Sequence, residues 1–280
     1  MKKNSQPGAG IKGAKKKGPE ALAVLLLTLT LSPKARSDVN TREGNFKYAW
    51  HDSLVDRSYS SRSEHRGIFG FRWCSSFDQV IAKLPSDLPN EKCEGQKVGP
   101  AGSIERLSAD LYQLRRGNEM FLVTIDPQTR LATKIENGKG DTVRYRYEHD
   151  ELVEVKDGSS KETYRYDLSH NLTDVSDNDS RPQPTGAQGS LHVEYDLVYD
   201  RVTDVDYGDG CKDHFTYNKS AYGRQKEKEQ TTITRTCHGL EKFSNTYEFT
   251  EQREPGSTAF RLIKFRLFNP LGTQTEVSYE

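Results

Sequence analysis

The sequence predicts an all-β fold made of short antiparallel strands in repeated hairpins. Apolar and polar residues alternate in short segments from about residue 110 onward, and Asn-Gly or Asp-Gly pairs separate several of these segments. A tyrosine-bearing segment also recurs about every twenty residues. With 33% apolar residues in 280 and a mean hydropathy of −0.86, a polytopic membrane protein is excluded.

The first 37 residues have the pattern of a secretory signal peptide. They carry eight Lys and Arg and one Glu, and residues 21–31 form an uncharged, largely apolar run that is too short to span a bilayer. The small residues in Ala35-Arg36-Ser37 predict cleavage near Ser37 and Asp38. An uncleaved anchor or a buried core helix is the alternative. We expect an exported chain, secreted, periplasmic or at the cell surface, with no membrane span after signal cleavage.

The formal net charge of zero hides an asymmetry along the chain. After residue 37 there remain 33 basic and 40 acidic residues, a net charge of −7. A body of that sign repels phosphate backbones, so nucleic acid is not expected as a partner.

The four cysteines, Cys74, Cys93, Cys211 and Cys237, all follow the proposed cleavage site. An even number in an exported chain predicts two disulfides. Three pairings are open, and proximity along the chain favours Cys74 with Cys93 and Cys211 with Cys237. No pair has Cys-x-x-Cys spacing, so zinc binding or redox catalysis has little support.

Eight segments rich in β-branched and aromatic residues are predicted as strands. Asn137-Gly138, Asp157-Gly158 and Asp209-Gly210 are predicted as hairpin turns between them. The eight segments are residues 121–125, 142–147, 163–166, 191–195, 214–217, 231–235, 246–249 and 262–265.

The segments also repeat in sequence. Residues 145–158 align with residues 164–177 at a shift of nineteen to twenty, and further copies begin near Ile125 and Tyr199. A strand-turn-strand unit of that length cannot bury its own apolar face, so the copies must stack and share one core.

Two motifs carry a resemblance to a known family. The segment Tyr164-x-Tyr166-Asp167, followed by Asn171-Leu172 and Val175, resembles the YD repeat of the Rhs/teneurin family. The segment Arg57-x-Tyr59-x-Ser61, followed by Gly67-x-x-Gly70-x-Arg72-Trp73, resembles the module that precedes these repeats in bacterial Rhs proteins. Arg72 stands where that module usually has a third glycine.

The resemblance covers roughly residues 45–80 and 120–218. It implies a curved antiparallel sheet of YD-type hairpin repeats, a partial Rhs-like β-shell. Large relatives close such a sheet around a toxin and end in an Asp-Pro-rich, self-cleaving cap, whereas Asp126-Pro127 here lies early, within a repeat. We therefore expect an open piece of shell, divided into a signal peptide at 1–37, an Rhs-like N-terminal module at 38–118 and a YD-repeat β-sheet domain at 119–280.

Aromatic residues in the repeats come in pairs at i and i+2, which places both rings on one face of a strand. Such a ladder either packs across strands to stabilise the sheet or forms a groove for sugar rings, since the resemblance implies carbohydrate binding for several relatives. The candidate ligand-binding residues are Tyr145, Tyr147, Tyr164, Tyr166, Phe215 and Tyr217.

No catalytic, cofactor-binding or metal-binding residue is predicted. The seven histidines are scattered, and the sequence contains no HExxH, no Gly-x-Ser-x-Gly and no phosphate-binding loop. The acidic segment 204–210 resembles a calcium loop, but Phe215 stands where the twelfth-position Glu is required, so turn chemistry explains it. A hydrolase with an Asp/His site assembled in space is the remaining enzymatic alternative.

The sequence therefore predicts an exported, non-enzymatic YD-repeat scaffold that binds glycan or protein at the surface or in the periplasm. The alternative is a partial Rhs shell that docks on another Rhs-type or secretion-system protein through an open sheet edge near residues 276–280. The expected partners are a carbohydrate or another Rhs-type protein, and the same edge would allow oligomers.

Overall fold

The computed structural model describes residues 35–78, 103–178, 190–221, 226–254, 256, 260–272 and 274–279. The elements with defined bounds in these ranges are all β-strands, which confirms the predicted all-β class. The first six are β1 (Ala35–Asn40), β2 (Asn45–His51), β3 (Asp56–Ser60), β4 (Arg66–Gly67), β5 (Gly70–Phe71) and β6 (Trp73–Ser75). The next eight are β7 (Ser103–Arg106), β8 (Leu111–Arg116), β9 (Glu119–Ile125), β10 (Ala132–Asn137), β11 (Thr142–Glu148), β12 (Glu151–Asp157), β13 (Ser160–Tyr166) and β14 (Leu172–Asp177). The last seven are β15 (Ser190–Tyr195), β16 (Val202–Asp206), β17 (Cys211–Ala221), β18 (Lys226–Cys237), β19 (Leu240–Arg253), β20 (Phe260–Phe268) and β21 (Gln274–Ser278).

The strands form a long meander and a small N-terminal sheet. In the meander, β7 to β21 follow one another in chain order as a fifteen-stranded antiparallel sheet, which is open because, among the described strands, β7 and β21 each have one neighbour. The N-terminal sheet has the order β1-β2-β3-β6, and β4 pairs with β5. Each of the eight predicted strand segments lies within a strand of the meander, and the glycines of the three predicted turns fall between strands, with Asn137 and Asp157 as the last residues of β10 and β12.

Four successive hairpins of the meander share one irregularity. The pairs β9-β10, β11-β12, β13-β14 and β15-β16 each contain a register shift close to the connecting turn. A tyrosine near the end of the first strand of a hairpin contacts the backbone of the preceding hairpin. The hydroxyls of Tyr147 and Tyr166 donate to the carbonyls of Ala132 (2.9 Å) and Leu152 (2.8 Å). Tyr195 makes the same bond to Leu172 at 3.1 Å. The tyrosines thus satisfy backbone carbonyls while linking neighbouring hairpins.

The core lies between the N-terminal sheet and the middle of the meander. Phe77 contacts Phe121 with ring centroids 5.5 Å apart, and the rings of Phe69 and Tyr145 are 4.8 Å apart. The side chains of Phe46, Tyr59, Trp73, Val123, Ile135, Leu152, Leu172 and Val205 are all buried in this core.

Two glycines of the N-terminal segment allow its backbone to approach the meander closely. Gly44 and Gly70 have φ values of +65° and +96°, which disfavour a side chain. A Cβ on Gly70 would lie 2.3 Å from the carbonyl oxygen of Asp150, and one on Gly44 would lie 2.7 Å from Cβ of Arg201. The Gly44 carbonyl itself accepts a bond from Val202 N at 3.1 Å. Glycine at both positions therefore permits the docking of the N-terminal segment.

The predicted disulfide between Cys211 and Cys237 is confirmed, and it joins directly opposite residues of β17 and β18. Cys74 is also disulfide-bonded. Its predicted partner, Cys93, lies outside the described residues.

Replacing both Cys211 and Cys237 with serine should destabilise the protein by about 3 kcal/mol, because the 26-residue connection no longer constrains the unfolded chain. Urea denaturation under oxidising conditions would measure the change. The matched control is the double change Thr216→Ala and Thr232→Ala, which alters an opposed pair on the same two strands. An equal loss in both variants would contradict a specific role for the cross-link.

The predicted signal peptide lies mostly outside the described residues. Residues 35–37, at its end, belong to β1 and pair with Tyr48, Ala49 and Trp50 of β2. In the described part of the chain, no helix has the length and apolar character needed to cross a membrane.

Candidate functional site

The most concentrated polar chemistry lies in the core, where β3 faces β11 and β13. Arg57 donates two hydrogen bonds to the Asp52 carboxylate, both at 2.9 Å, and a third to the Tyr164 hydroxyl at 2.9 Å. Its guanidinium also lies 3.5 Å from Glu162 and 4.9 Å from the centre of the Trp73 ring. The side chains of Arg57, Asp52 and Glu162 are at most 4% exposed. We call Arg57, Asp52 and Glu162, together with Tyr48, Tyr145 and Tyr164, the Arg57 network.

Three tyrosine hydroxyls complete the Arg57 network. Tyr48 and Tyr164 donate to the two carboxylate oxygens of Glu162, and Tyr145 donates to Asp52 at 2.9 Å. Residues of both sheets therefore share the two buried carboxylates, which gives those charges the hydrogen-bond partners that burial demands.

Burial shifts the proton affinities in this network. Desolvation raises the pKa of Glu162 to about 7, against the opposing influence of the Arg57 charge and the two tyrosine hydroxyls. Desolvation also raises the pKa of Tyr48, Tyr145 and Tyr164 well above that of free tyrosine. The tyrosines therefore remain neutral donors, and Glu162 is the member whose charge changes near neutral pH.

The two motifs noted in the sequence meet at this contact. Trp73 Nε1 donates to the Tyr166 hydroxyl at 2.9 Å, and the Tyr59 hydroxyl donates to the His170 carbonyl at 2.9 Å. The same Tyr59 oxygen accepts a bond from Leu172 N at 3.0 Å. Together with the Arg57 bond to Tyr164, these contacts join the Arg-x-Tyr and Gly-Trp segment to the Tyr-x-Tyr-Asp repeat.

Arg72, the residue in the usual glycine position, has a φ of +65°. A side chain at this φ is strained by roughly 1 kcal/mol or more. Its guanidinium reaches the β13-β14 turn, where it donates to the Asn171 side-chain oxygen and, at 3.3 Å, to the His170 carbonyl. These contacts offset the strained backbone and add a further link between the two motifs.

The structure places the six candidate ligand-binding residues on the inward face of the meander. Tyr145, Tyr164 and Phe215 are buried, and Tyr147, Tyr166 and Tyr217 are half-buried. The four repeat tyrosines come together beneath the N-terminal sheet, whereas Phe215 and Tyr217 lie in β17, where the Arg201 guanidinium is 5.0 Å from the Tyr217 ring centre. Their surroundings favour the packing interpretation of the aromatic ladder.

Histidine and acidic residues pair across strands on exposed positions of the meander. His192 lies 2.7 Å from Asp174, and His214 lies 2.8 Å from Asp204. A cavity of about 310 Å³ lies elsewhere, near the β19-β20 connection, and is lined by Gln252, Arg253, Glu254 and Arg261.

One group among the described residues has ligand atoms close enough for a metal ion. Atoms of His65, Cys74 and Asp78 lie within 4.8 Å of one another. Cys74 is disulfide-bonded, which removes the thiolate a metal requires. Asp78 already accepts backbone bonds from Ile68 (2.9 Å) and Ser75 (2.7 Å). The group is therefore better explained as a structural contact.

Both acidic members of the Arg57 network, and also Tyr48, were absent from the sequence-based candidates. Glu162 lies two residues before Tyr164 and so shares its inward face, which makes it a charged residue beside two tyrosines of one row. A charged residue on the inward face of a predicted strand was the sequence signal that could have indicated a buried polar group. Asp52 lies in the loop between β2 and β3, where the sequence offers no comparable indication.

The comparisons with known proteins leave the resemblance as a proposal. No protein-family model matches the chain. The search of curated proteins also gives no match.

Proposed function

We propose that this protein is an exported, non-enzymatic scaffold of the YD-repeat type that binds another protein chain. The observation that carries the proposal is the open fifteen-stranded meander, in which β21 pairs on one side, with β20, in the part of the chain that the structure describes. Backbone groups on the outer side of such a strand can pair with an added strand. The proposal thus develops the edge-docking alternative drawn from the sequence.

Two further observations support the exported and YD-repeat parts of the proposal. The Cys211–Cys237 disulfide suits an oxidising compartment. The two motifs that resemble Rhs sequences contact each other directly, through Arg57 with Tyr164 and Trp73 with Tyr166. A common structural role for both motifs is what the family resemblance would require.

The burial of the aromatic ladder makes a protein a better-supported partner than a sugar. Sugar rings bind by stacking on exposed aromatic faces, whereas Tyr145 and Tyr164 are at most 5% exposed and their hydroxyls are bound within the Arg57 network. Strand addition at β21 makes no use of these rings.

The direction of the hydrogen bonds in β21 defines a sharp test. Tyr279 N donates inward to Ile263 O at 2.9 Å, so the alternating pattern points the N–H of Ser278 outward. Replacing Ser278 with proline removes that outward donor, whereas Ser278→Ala retains it.

The experiment compares both variants with the wild type in affinity capture from the exported proteins of the producing cells. We expect a protein that is retained equally by the wild type and Ser278→Ala, and at least tenfold less by Ser278→Pro. Equal retention by the proline variant would refute edge binding. Binding on a glycan array with no captured protein would instead support the sugar alternative.

A further inference from the structure

Four exposed apolar side chains lie in two turns at one end of the meander. Leu168 lies in the β13-β14 turn, and Leu197, Val198 and Tyr199 lie in the β15-β16 turn. Their exposures are 102%, 103%, 78% and 69%. We call these four residues the apolar turn tips.

The two turns are adjacent and fixed relative to each other. Turns that connect β13 to β14 and β15 to β16 lie at the same end of an antiparallel meander, about 10 Å apart. Asn171 is fully buried and donates from its amide to the Asp200 carboxylate, which links the turns directly. The apolar turn tips therefore project from a preorganised edge.

A third turn shows that this turn structure does not require apolar residues. In the β9-β10 turn, Asp126 accepts bonds from the backbone of Gln128 and Thr129 at 2.8 and 2.9 Å. Asp196 caps Val198 and Tyr199 in the same way, at 3.0 and 2.7 Å. The fifth residue of each turn, Arg130 or Asp200, has positive φ.

Residues 127–129 of the β9-β10 turn are Pro-Gln-Thr, at the positions that Leu197, Val198 and Tyr199 occupy in the β15-β16 turn. The apolar side chains are thus dispensable for folding the turn. Their exposure calls for a role outside the fold.

From these observations we propose that the apolar turn tips insert into the interfacial region of a lipid bilayer. Four side chains on two turns offer on the order of a few hundred Å², well below the roughly 800 Å² per partner of a stable protein complex. A bilayer imposes no such requirement for an extended complementary surface. Leucine and valine suit its outer hydrocarbon, and tyrosine is enriched at its interface.

Two arginines lie beside the apolar turn tips, although the chain after residue 37 carries a net charge of −7. Arg62 is exposed and donates to the Tyr199 carbonyl at 2.7 Å, and the Arg201 guanidinium lies 5.8 Å from the Tyr199 ring centre. The carboxylates of Asp167 and Asp196 accept backbone bonds within their own turns, and Asp200 accepts from Asn171. Basic groups therefore accompany the tips while these nearby acids are hydrogen-bonded within the protein.

The test is vesicle co-sedimentation of the full chain with phosphatidylcholine vesicles and with vesicles of phosphatidylcholine and phosphatidylglycerol at 7:3. The triple variant Leu197→Pro, Val198→Gln and Tyr199→Thr gives the tip the sequence of the β9-β10 turn, with Leu168→Gln added in a second variant. The control, Gln128→Ala with Thr129→Ala, changes the polar turn. Thermal unfolding of each variant reports whether the fold is retained.

We expect the wild type and the control to bind vesicles and the triple variant to bind at least tenfold more weakly, with an unchanged unfolding midpoint. The variant with Leu168→Gln should bind more weakly still. Failure of the wild type to bind either vesicle, or equal binding by the triple variant, would overturn the proposal. So would a self-association of the wild type that the triple variant abolishes without any vesicle binding. Each outcome is independent of the β21 capture experiment.

Discussion

Replacing Arg57 with methionine is expected to destabilise the protein by about 3–5 kcal/mol, because two buried carboxylates then lose their cationic partner. The Arg57 side chain is fully buried, with two hydrogen bonds to Asp52 and a further contact to Glu162. Methionine fills much of the volume but donates no hydrogen bond, so desolvation of the carboxylates is no longer offset. Urea denaturation at pH 7 gives the change in the free energy of unfolding.

Two further variants separate this charge effect from a general effect of losing an arginine. Arg144→Met alters an exposed arginine of β11 and should change stability by less than about 0.5 kcal/mol. Adding Glu162→Gln to Arg57→Met should recover part of the loss, because one buried negative charge is removed and contacting residues couple. An Arg57→Met protein within 1 kcal/mol of the wild type would contradict the assigned role.

The second large effect concerns pH. The pKa of Glu162 is raised by burial to about 7 in the folded protein, above the roughly 4.3 of an unfolded glutamate. Between these values the folded state binds more protons than the unfolded state, so stability falls as the pH rises. The stabilising contribution is complete below about pH 4 and is lost as the pH passes through 7. From pH 5 to pH 8, this group should lower the free energy of unfolding by about 3 kcal/mol.

Glu162→Gln should remove this contribution, since an amide of similar size does not titrate in that range. Denaturant unfolding curves of wild type and variant at half-unit pH intervals would show it as a flatter stability profile for the variant. Glu148→Gln, at an exposed position of β11, serves as the control and should retain the wild-type slope. Parallel profiles for wild type and Glu162→Gln would exclude Glu162 as the titrating group.

The hairpins of the meander were predictable because their signals are local. Alternation of side chains and the Asn-Gly and Asp-Gly turns depend on neighbours in sequence, and so the segments at 142–147 and 163–166 lie within β11 and β13. The i,i+2 spacing also placed Tyr164 and Tyr166 on one face. It did not indicate what covers that face.

The N-terminal sheet that covers this face, and its contacts with the meander, could not be predicted from local sequence patterns. Arg57 meets Tyr164 across 107 residues and Tyr59 meets His170 across 111, and no periodicity reports on such distances. Burial of a charged residue such as Arg57 also contradicts its usual surface preference. The motif resemblance identified these residues, while the structure supplies the physical reason for their presence.

The order of the strands has a consequence for how the polypeptide acquires its structure. Every pairing in the meander joins strands adjacent in the chain, so the sheet can form progressively as synthesis delivers each hairpin. The partner surface for Tyr59 and Trp73 is different, because it requires the segment up to residue 172. The aromatic side of the N-terminal sheet therefore stays uncovered until about a hundred residues after Trp73 have been synthesised.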